Sequence, residues 1–222
     1  MDDLSDEWWL EKPKSKKKRL KKTDTIDTVE YSPLHSKERQ LCELSNALQT
    51  VEKDSDDLLI LEDNFVQVDG DTEDFNSCLK QAVPNWEKWL ARLSKPASPI
   101  VMVIALSAMR CIQLNREAAG FRNGCTTVKL FAKHIKVAEQ RTFLESHVVP
   151  FAIGTPNRIN KLLKLGVLNL KKCRLIVIDW YWKDKKMRAI ADIPEVKDDL
   201  NTLLRDILLP QMQSSKLKLF LY

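Results

Sequence analysis

From Leu58 onward, short apolar runs alternate with stretches of helical periodicity, whereas polar and charged residues dominate before it. Ile100 to Leu106 (I-V-M-V-I-A-L) is continuous, apolar and rich in β-branched residues, the pattern of a strand buried on both faces. Pro96 and Pro99 bound it in front. Ala108 to Ala119 then reads as a helix stopping near Gly120. Val128 to Phe131, Val148 to Ile153, Leu175 to Ile178 and Leu217 to Leu221 read as four further strands. Between them, helices are expected over Ala138 to Ser146, over Asn157 to Leu165 with a stop at Gly166, and over Leu200 to Leu209 closed by Pro210. Upstream, Asp74 to Leu93 reads as a helical preface with Trp86 and Trp89 on one side. Strands alternating with helices predict an α/β domain with a mostly parallel sheet and helices on both faces. Ligands of such sheets sit outside the carboxyl ends of the strands. The loops to inspect are therefore Ser107 to Arg110, Ala132 to Lys136, Thr155 to Arg158 and Asp179 to Trp182.

Residues 1–57 read as a disordered tail and 58–222 as the folded domain. Within the tail, Leu41, Leu44 and Leu48 fall at helical spacing and allow one short helix. Asp2, Asp3, Asp6 and Glu7 lead into Trp8 and Trp9, a pair that is either an anchor for a partner's pocket or a chance pairing in a loose terminus. Lys14, Lys16, Lys17, Lys18, Arg19, Lys21 and Lys22 follow, too dense in like charge to fold. That run suits nuclear import or non-specific phosphate contact, or else simply keeps the tail soluble.

Composition narrows the classes. The 222 residues carry a net charge of +5, an excess modest in size but uneven in placement. Five scattered cysteines show no C-x-x-C spacing and suit a reduced, intracellular chain. No apolar run reaches the roughly 18–20 residues that span a bilayer, and the acidic start is not a secretory signal, so no membrane association is expected.

The nucleotide motifs are missing. A phosphate loop needs G-x-x-x-x-G-K-S/T, glycines letting backbone N–H groups wrap the phosphates and lysine supplying charge. None of Gly70, Gly120, Gly124, Gly154 and Gly166 is followed by lysine. Gly120 to Thr127 (G-F-R-N-G-C-T-T) comes nearest, but its glycines stand one residue too close and Cys125 replaces the lysine. G-x-G-x-x-G, H-E-x-x-H and G-x-S-x-G are absent, and His134 and His147 lie too far apart for a simple helical metal pair. Asp179 ends a strand where enzymes often place a metal-binding acid, yet Trp180, Tyr181 and Trp182 follow it and no second acid does. No catalytic residue, metal, cofactor or small-molecule substrate is expected.

Thr155-Pro156-Asn157-Arg158 is the sharpest local motif. Threonine suits an N-cap and proline the first helical position, so free N–H groups and Arg158 would face out of the strand's carboxyl end. This is either an anion site or an ordinary capped helix with an exposed arginine.

From about Phe65 to Tyr222 the order of features resembles the first RecA-like domain of DEAD-box RNA helicases. Thr155 to Arg158 is similar to their T-P-G-R motif with asparagine for glycine, Ile104 to Arg110 sits at their P-T-R-E-L motif with only the arginine matching, and Leu175 to Trp182 sits at their V-L-D-E-A-D motif with only Asp179 surviving. Over nearly its whole length the chain resembles the Cms family of ribosomal small-subunit homologues. The resemblance rests on Asp6 to Trp9, the basic tail, Lys129 to Val137 (K-L-F-A-K-H-I-K-V), Gly154 to Ile159 and Asp179 to Trp182. It implies a single RecA-like domain in a catalytically silent factor of early small-subunit pre-ribosomes, in the nucleus and nucleolus. The partners it implies are pre-ribosomal RNA and particle proteins, and a monomer is expected. In the helicases the first two motifs touch RNA backbone, which implies that role for Arg110, Thr155, Asn157 and Arg158; Lys133, His134 and Lys136 follow the second strand at the same carboxyl edge and complete the expected RNA rim. The competing reading is a protein-binding adaptor in the same particle, with Trp8 and Trp9 as its main contact and Lys133 and Lys136 merely solvated.

Overall fold

The computed structural model describes residues 36–49, 60–68 and 74–222. Trp8, Trp9 and the lysine run from Lys14 to Lys22 lie outside the described residues.

Five short strands form one sheet: β1 (Val101–Ile104), β2 (Thr127–Leu130), β3 (Phe151–Gly154), β4 (Leu175–Ile178) and β5 (Lys218–Leu221). Their order is β2-β3-β1-β4-β5, and every pairing is parallel. Parallel strands leave no exposed face, because the crossover helices cover both sides. Alternate strand residues accordingly feed two cores. Met102, Ile104, Ile176 and Ile178 pack with α1 (Lys37–Gln49), α6 (Val137–Ser146), α7 (Pro156–Lys164) and α8 (Pro194–Leu203). Val101, Val103, Phe151 and Val177 pack with α2 (Phe75–Ala82), α3 (Trp86–Leu90), α4 (Ala108–Glu117) and α5 (Ala119–Arg122). This is the mostly parallel α/β domain, with helices on both faces, that the sequence predicts.

Four elements differ from expectation. The preface is two helices, since Pro84 follows Val83 where α2 ends. The stop after α4 is not Gly120: the chain continues through α5, and Asn123 turns it in the left-handed region at φ 45°. The third strand starts at Phe151 and runs to Gly154, because the Pro150 carbonyl already serves Ile100 and Val101. Gly154 ends it of necessity, as a Cβ there would overlap the Leu130 carbonyl oxygen of the neighbouring strand. The last helix begins at Pro194, and Pro210 does not close it. Leu204–Leu208 widens into a π-helical turn, and α9 (Leu209–Ser214) carries Pro210 at its start, where a missing N–H is tolerated.

The folded unit also extends upstream of the boundary drawn at residue 58. Helix α1 lies within the segment expected to be tail and buries Leu44 and Leu48, two of the three helically spaced leucines. Its Gln40 is fully buried and bridges two backbones. The side-chain oxygen accepts from Leu221 N–H at 2.9 Å, and the side-chain nitrogen donates to Val66 C=O at 3.0 Å. Val66 N–H in turn donates to Leu219 C=O at 2.9 Å, so Phe65 makes a lone parallel bridge to β5.

Gln40→Ala should strand a buried donor and a buried acceptor and lower stability by about 2 kcal/mol or more. Urea unfolding is the measurement, with Cys42→Ala, at an exposed position of the same helix, expected to change little.

Candidate nucleic-acid interface

The carboxyl ends of the strands carry the expected loops, and the structure divides their cations into two groups. Arg110 and Arg158 point inward. Lys133, His134 and Lys136 are exposed.

Ser107 caps α4 by accepting from Arg110 N–H at 3.2 Å, which sets Arg110 as the third residue of the helix. Its guanidinium is 4% exposed and forks onto Asp179, fully buried at the end of β4, with Nε to Oδ2 at 2.9 Å and Nη2 to Oδ1 at 2.8 Å. Trp182 lies over the same guanidinium, 5.0 Å from ring centroid to Cζ. Burial pushes the Asp179 carboxyl above its ordinary value, and the arginine pulls against that. β1 connects toward β2 and β4 toward β5, so the sheet changes direction between these two neighbours. That switch is where parallel sheets form their ligand crevice. Here the ion pair and the indole occupy it.

Arg158 is 7% exposed and holds the loop between β2 and α6 from beneath. Nη1 and Nη2 donate to the Ile135 carbonyl at 3.0 and 3.1 Å, and Nη1 donates to Gln140 Oε1 at 2.6 Å. Gln140 is fully buried and donates onward to Lys129 C=O at 2.8 Å. Within the K-L-F-A-K-H-I-K-V run, Ile135 is therefore clamped while the residues on either side face solvent. His134 takes a left-handed backbone at φ 61°, and Lys136 N–H is fixed by Glu139 Oε2 at 3.1 Å.

The T-P-N-R segment starts α7 as expected. Thr155 stands at the N-cap with extended backbone, but its hydroxyl makes no capping hydrogen bond. Asn157 donates to both carboxylate oxygens of Asp199 on α8, at 3.2 and 3.0 Å, and Asn160 donates to the Asp199 backbone carbonyl at 2.7 Å. The asparagine thus ties two helices together and brings a carboxylate to this end of α7. The single basic rim is accordingly corrected. Arg110 and Arg158 spend their donors inside the protein, and the exposed basic residues expected there are Lys133, His134 and Lys136.

Sequence reading missed two features. Gln140 falls within the helix expected over Ala138 to Ser146, and no local signal marks it as buried. The loop after β4 continues past Trp182 as K-D-K-K-M-R (residues 183–188), whose lysine density was legible. Asp184 organises it, accepting from Arg188 Nη2 at 2.7 Å, Nε at 3.1 Å and backbone N–H at 3.0 Å, and from Lys186 N–H at 2.8 Å. These contacts hold the Asp184 carboxyl down at about 2. Among the described residues no group of three His, Cys, Asp or Glu side chains could hold a metal ion, and no helix is long and apolar enough to cross a membrane.

Fold and edge together define a five-stranded parallel α/β domain whose switch-point crevice is filled from within and whose outward basic side chains sit on loops. The chain belongs to the CMS1 family, described as the U3-containing 90S pre-ribosomal complex subunit, whose family model matches residues 10–222. It is 34% identical to human protein CMSS1 over 226 residues, covering 97% of this chain and 81% of the human protein. It is 35% identical to Xenopus laevis CMSS1, covering 75% of this chain and 60% of the frog protein, and 33% identical to Chaetomium thermophilum CMS1, covering 65% and 58%. Among solved structures it is similar to S. cerevisiae Dbp5 bound to RNA and ADP BeF3, at 18% identity and TM-score 0.40, over 61% of this chain and 31% of that one.

Two predictions follow, one from a buried contact and one from a surface contact. Asp179→Ala should cost about 3–5 kcal/mol by taking the forked carboxylate from a buried Arg110 whose other acid, Glu117, stands at 3.9 Å, and joint replacement by Arg110→Met and Asp179→Leu should restore most of it in urea unfolding. The Asp184 carboxyl should titrate near 2, below its ordinary 3.8, so its contact with Arg188 persists above the usual carboxylate range and is lost as pH falls through about 2. Carbon-detected NMR titration of Asp184, with Arg188→Gln expected to raise the midpoint, checks this.

Proposed function

We propose that this chain is a non-catalytic assembly subunit of the small-subunit pre-ribosome that holds RNA backbone through the loop between β2 and α6. The observation that carries the reading is the clamp on Ile135. Arg158 and Gln140 fix the loop's backbone from inside, so Lys133, His134 and Lys136 are presented with little left to order on binding. Lysines on phosphates give affinity without reading sequence, which suits a docking role. Membership of a family described as a pre-ribosomal subunit supports the setting. The filled crevice between β1 and β4 supports the absence of nucleotide chemistry.

In this reading the chain works in the nucleus and nucleolus, as a monomer within the particle. The lysines from Lys14 to Lys22 direct import, and Trp8 and Trp9 anchor a protein neighbour.

The test separates surface from scaffold. Lys133→Glu with Lys136→Glu should cut ultraviolet crosslinking of the full chain to precursor small-subunit ribosomal RNA in cells several-fold while leaving the melting temperature unchanged. Arg158→Ala should lower both, because it releases the loop. Undiminished crosslinking of the double lysine variant sinks the assignment of this loop. Co-purification with the particle and no crosslinked RNA would favour the adaptor reading through Trp8 and Trp9.

A further inference from the structure

The loop after β4 forms a second cationic surface on the same edge. Lys183, Lys185 and Lys186 are all exposed, and none forms an ion pair among the described residues. The one acid among them, Asp184, is turned inward onto Arg188, and Asp184 N–H donates to Arg188 C=O at 2.9 Å, closing the loop on itself. The carboxylate that would oppose an anion is thereby neutralised, and the lysines are left facing solvent. Apolar groups accompany them. Met187 is 57% exposed and Met109, in the first turn of α4, is 64% exposed. Trp182 is half-exposed above Arg110. A purely solvated basic loop has no reason to carry an indole and an exposed thioether among its lysines. A strand with phosphates and unstacked bases would use both kinds of group, whereas a duplex would offer mainly its backbone.

Position links the two loops. β2 and β4 stand three strand spacings apart in the sheet, about 14 Å. One extended nucleic-acid strand laid across the carboxyl edge would therefore meet Lys133 and Lys136 at one end and Lys183, Lys185 and Lys186 at the other.

We infer that the loop from Trp182 to Arg188 is a second grip for single-stranded RNA, with Lys183, Lys185 and Lys186 on phosphates and Trp182 against an unpaired base. The inference rests on the RNA reading of the carboxyl edge and adds the form of RNA taken and the residues that take it.

The experiment is fluorescence anisotropy of the full chain with a mixed-sequence 20-nucleotide RNA, single-stranded and as a blunt duplex, over a salt titration. Replacing Lys183, Lys185 and Lys186 with alanine should flatten the slope of log affinity against log salt by about 2 for the single strand. These side chains are exposed, so the variant stays folded. Trp182→Leu should weaken single-strand binding about tenfold while changing duplex binding much less. An unchanged slope in the triple variant, with Lys133→Ala and Lys136→Ala still weakening binding, overturns the second grip and leaves the first loop standing. Equal losses for single strand and duplex overturn the base contact. A wild-type chain that binds neither RNA overturns both this inference and the reading beneath it.

Discussion

The pair between Arg110 and Asp179 governs the carboxyl edge. It sits where β1 and β4 send their chains in opposite directions, the position at which a parallel sheet would otherwise open a crevice. Two charges taken out of water are costly, and their forked geometry offsets the cost only while both remain. Ser107, α4 and Trp182 are all placed by the demand that this pair stay dry. The arginine in the first turn of α4 and the aspartate after β4 therefore bind each other across the site. That arrangement turns a potential cavity into a floor.

The second buried guanidinium shows a division of labour between the two kinds of cation. Arginine is planar, weakly hydrated and able to satisfy fixed acceptors with several donors, which suits it to clamp Ile135 and Gln140 from within. Lysine is compact, strongly hydrated and mobile, and the edge uses it where the surface meets solvent, at Lys133, Lys136, Lys183, Lys185 and Lys186. Arg122 follows the inward pattern, donating to Thr127 Oγ1 at 2.8 Å and to Asn115 C=O at 3.0 Å with Phe151 beneath it. The count of positive residues thus overstates the charge this face can offer a partner.

The strands were the legible part. Leu175 to Ile178 begins and ends as read, because a run of four β-branched and leucine residues bounded by Arg174 and Asp179 has no alternative period. Helix α7 was nearly as plain, through Pro156 and Gly166. Pro210 misled because a proline's cost depends on the turn before it, and a widened π turn is invisible in residue types. The site divided along the same line. Loop positions followed from strand positions, but the direction of each side chain did not. Arg158, in the first turn of α7, and Lys136, at the head of α6, carry the same charge, and only the acceptors at Ile135 and Gln140 decide that one is interior. Those acceptors come from elsewhere in the chain, so no local pattern announces them.

Gln40 has a consequence beyond the two hydrogen bonds it makes. A strand at the margin of a sheet offers its backbone as a template, and natural proteins block such margins against chance pairing with another chain. Along β5 the Val66 backbone takes one position, and at the next free N–H a side-chain amide stands in for a peptide group. An amide of that kind matches the pairing chemistry but cannot extend it, since behind it lies a helix and not another residue of strand. The ladder is terminated by a mimic of itself, and α1 serves as a guard against self-association as much as a part of the core.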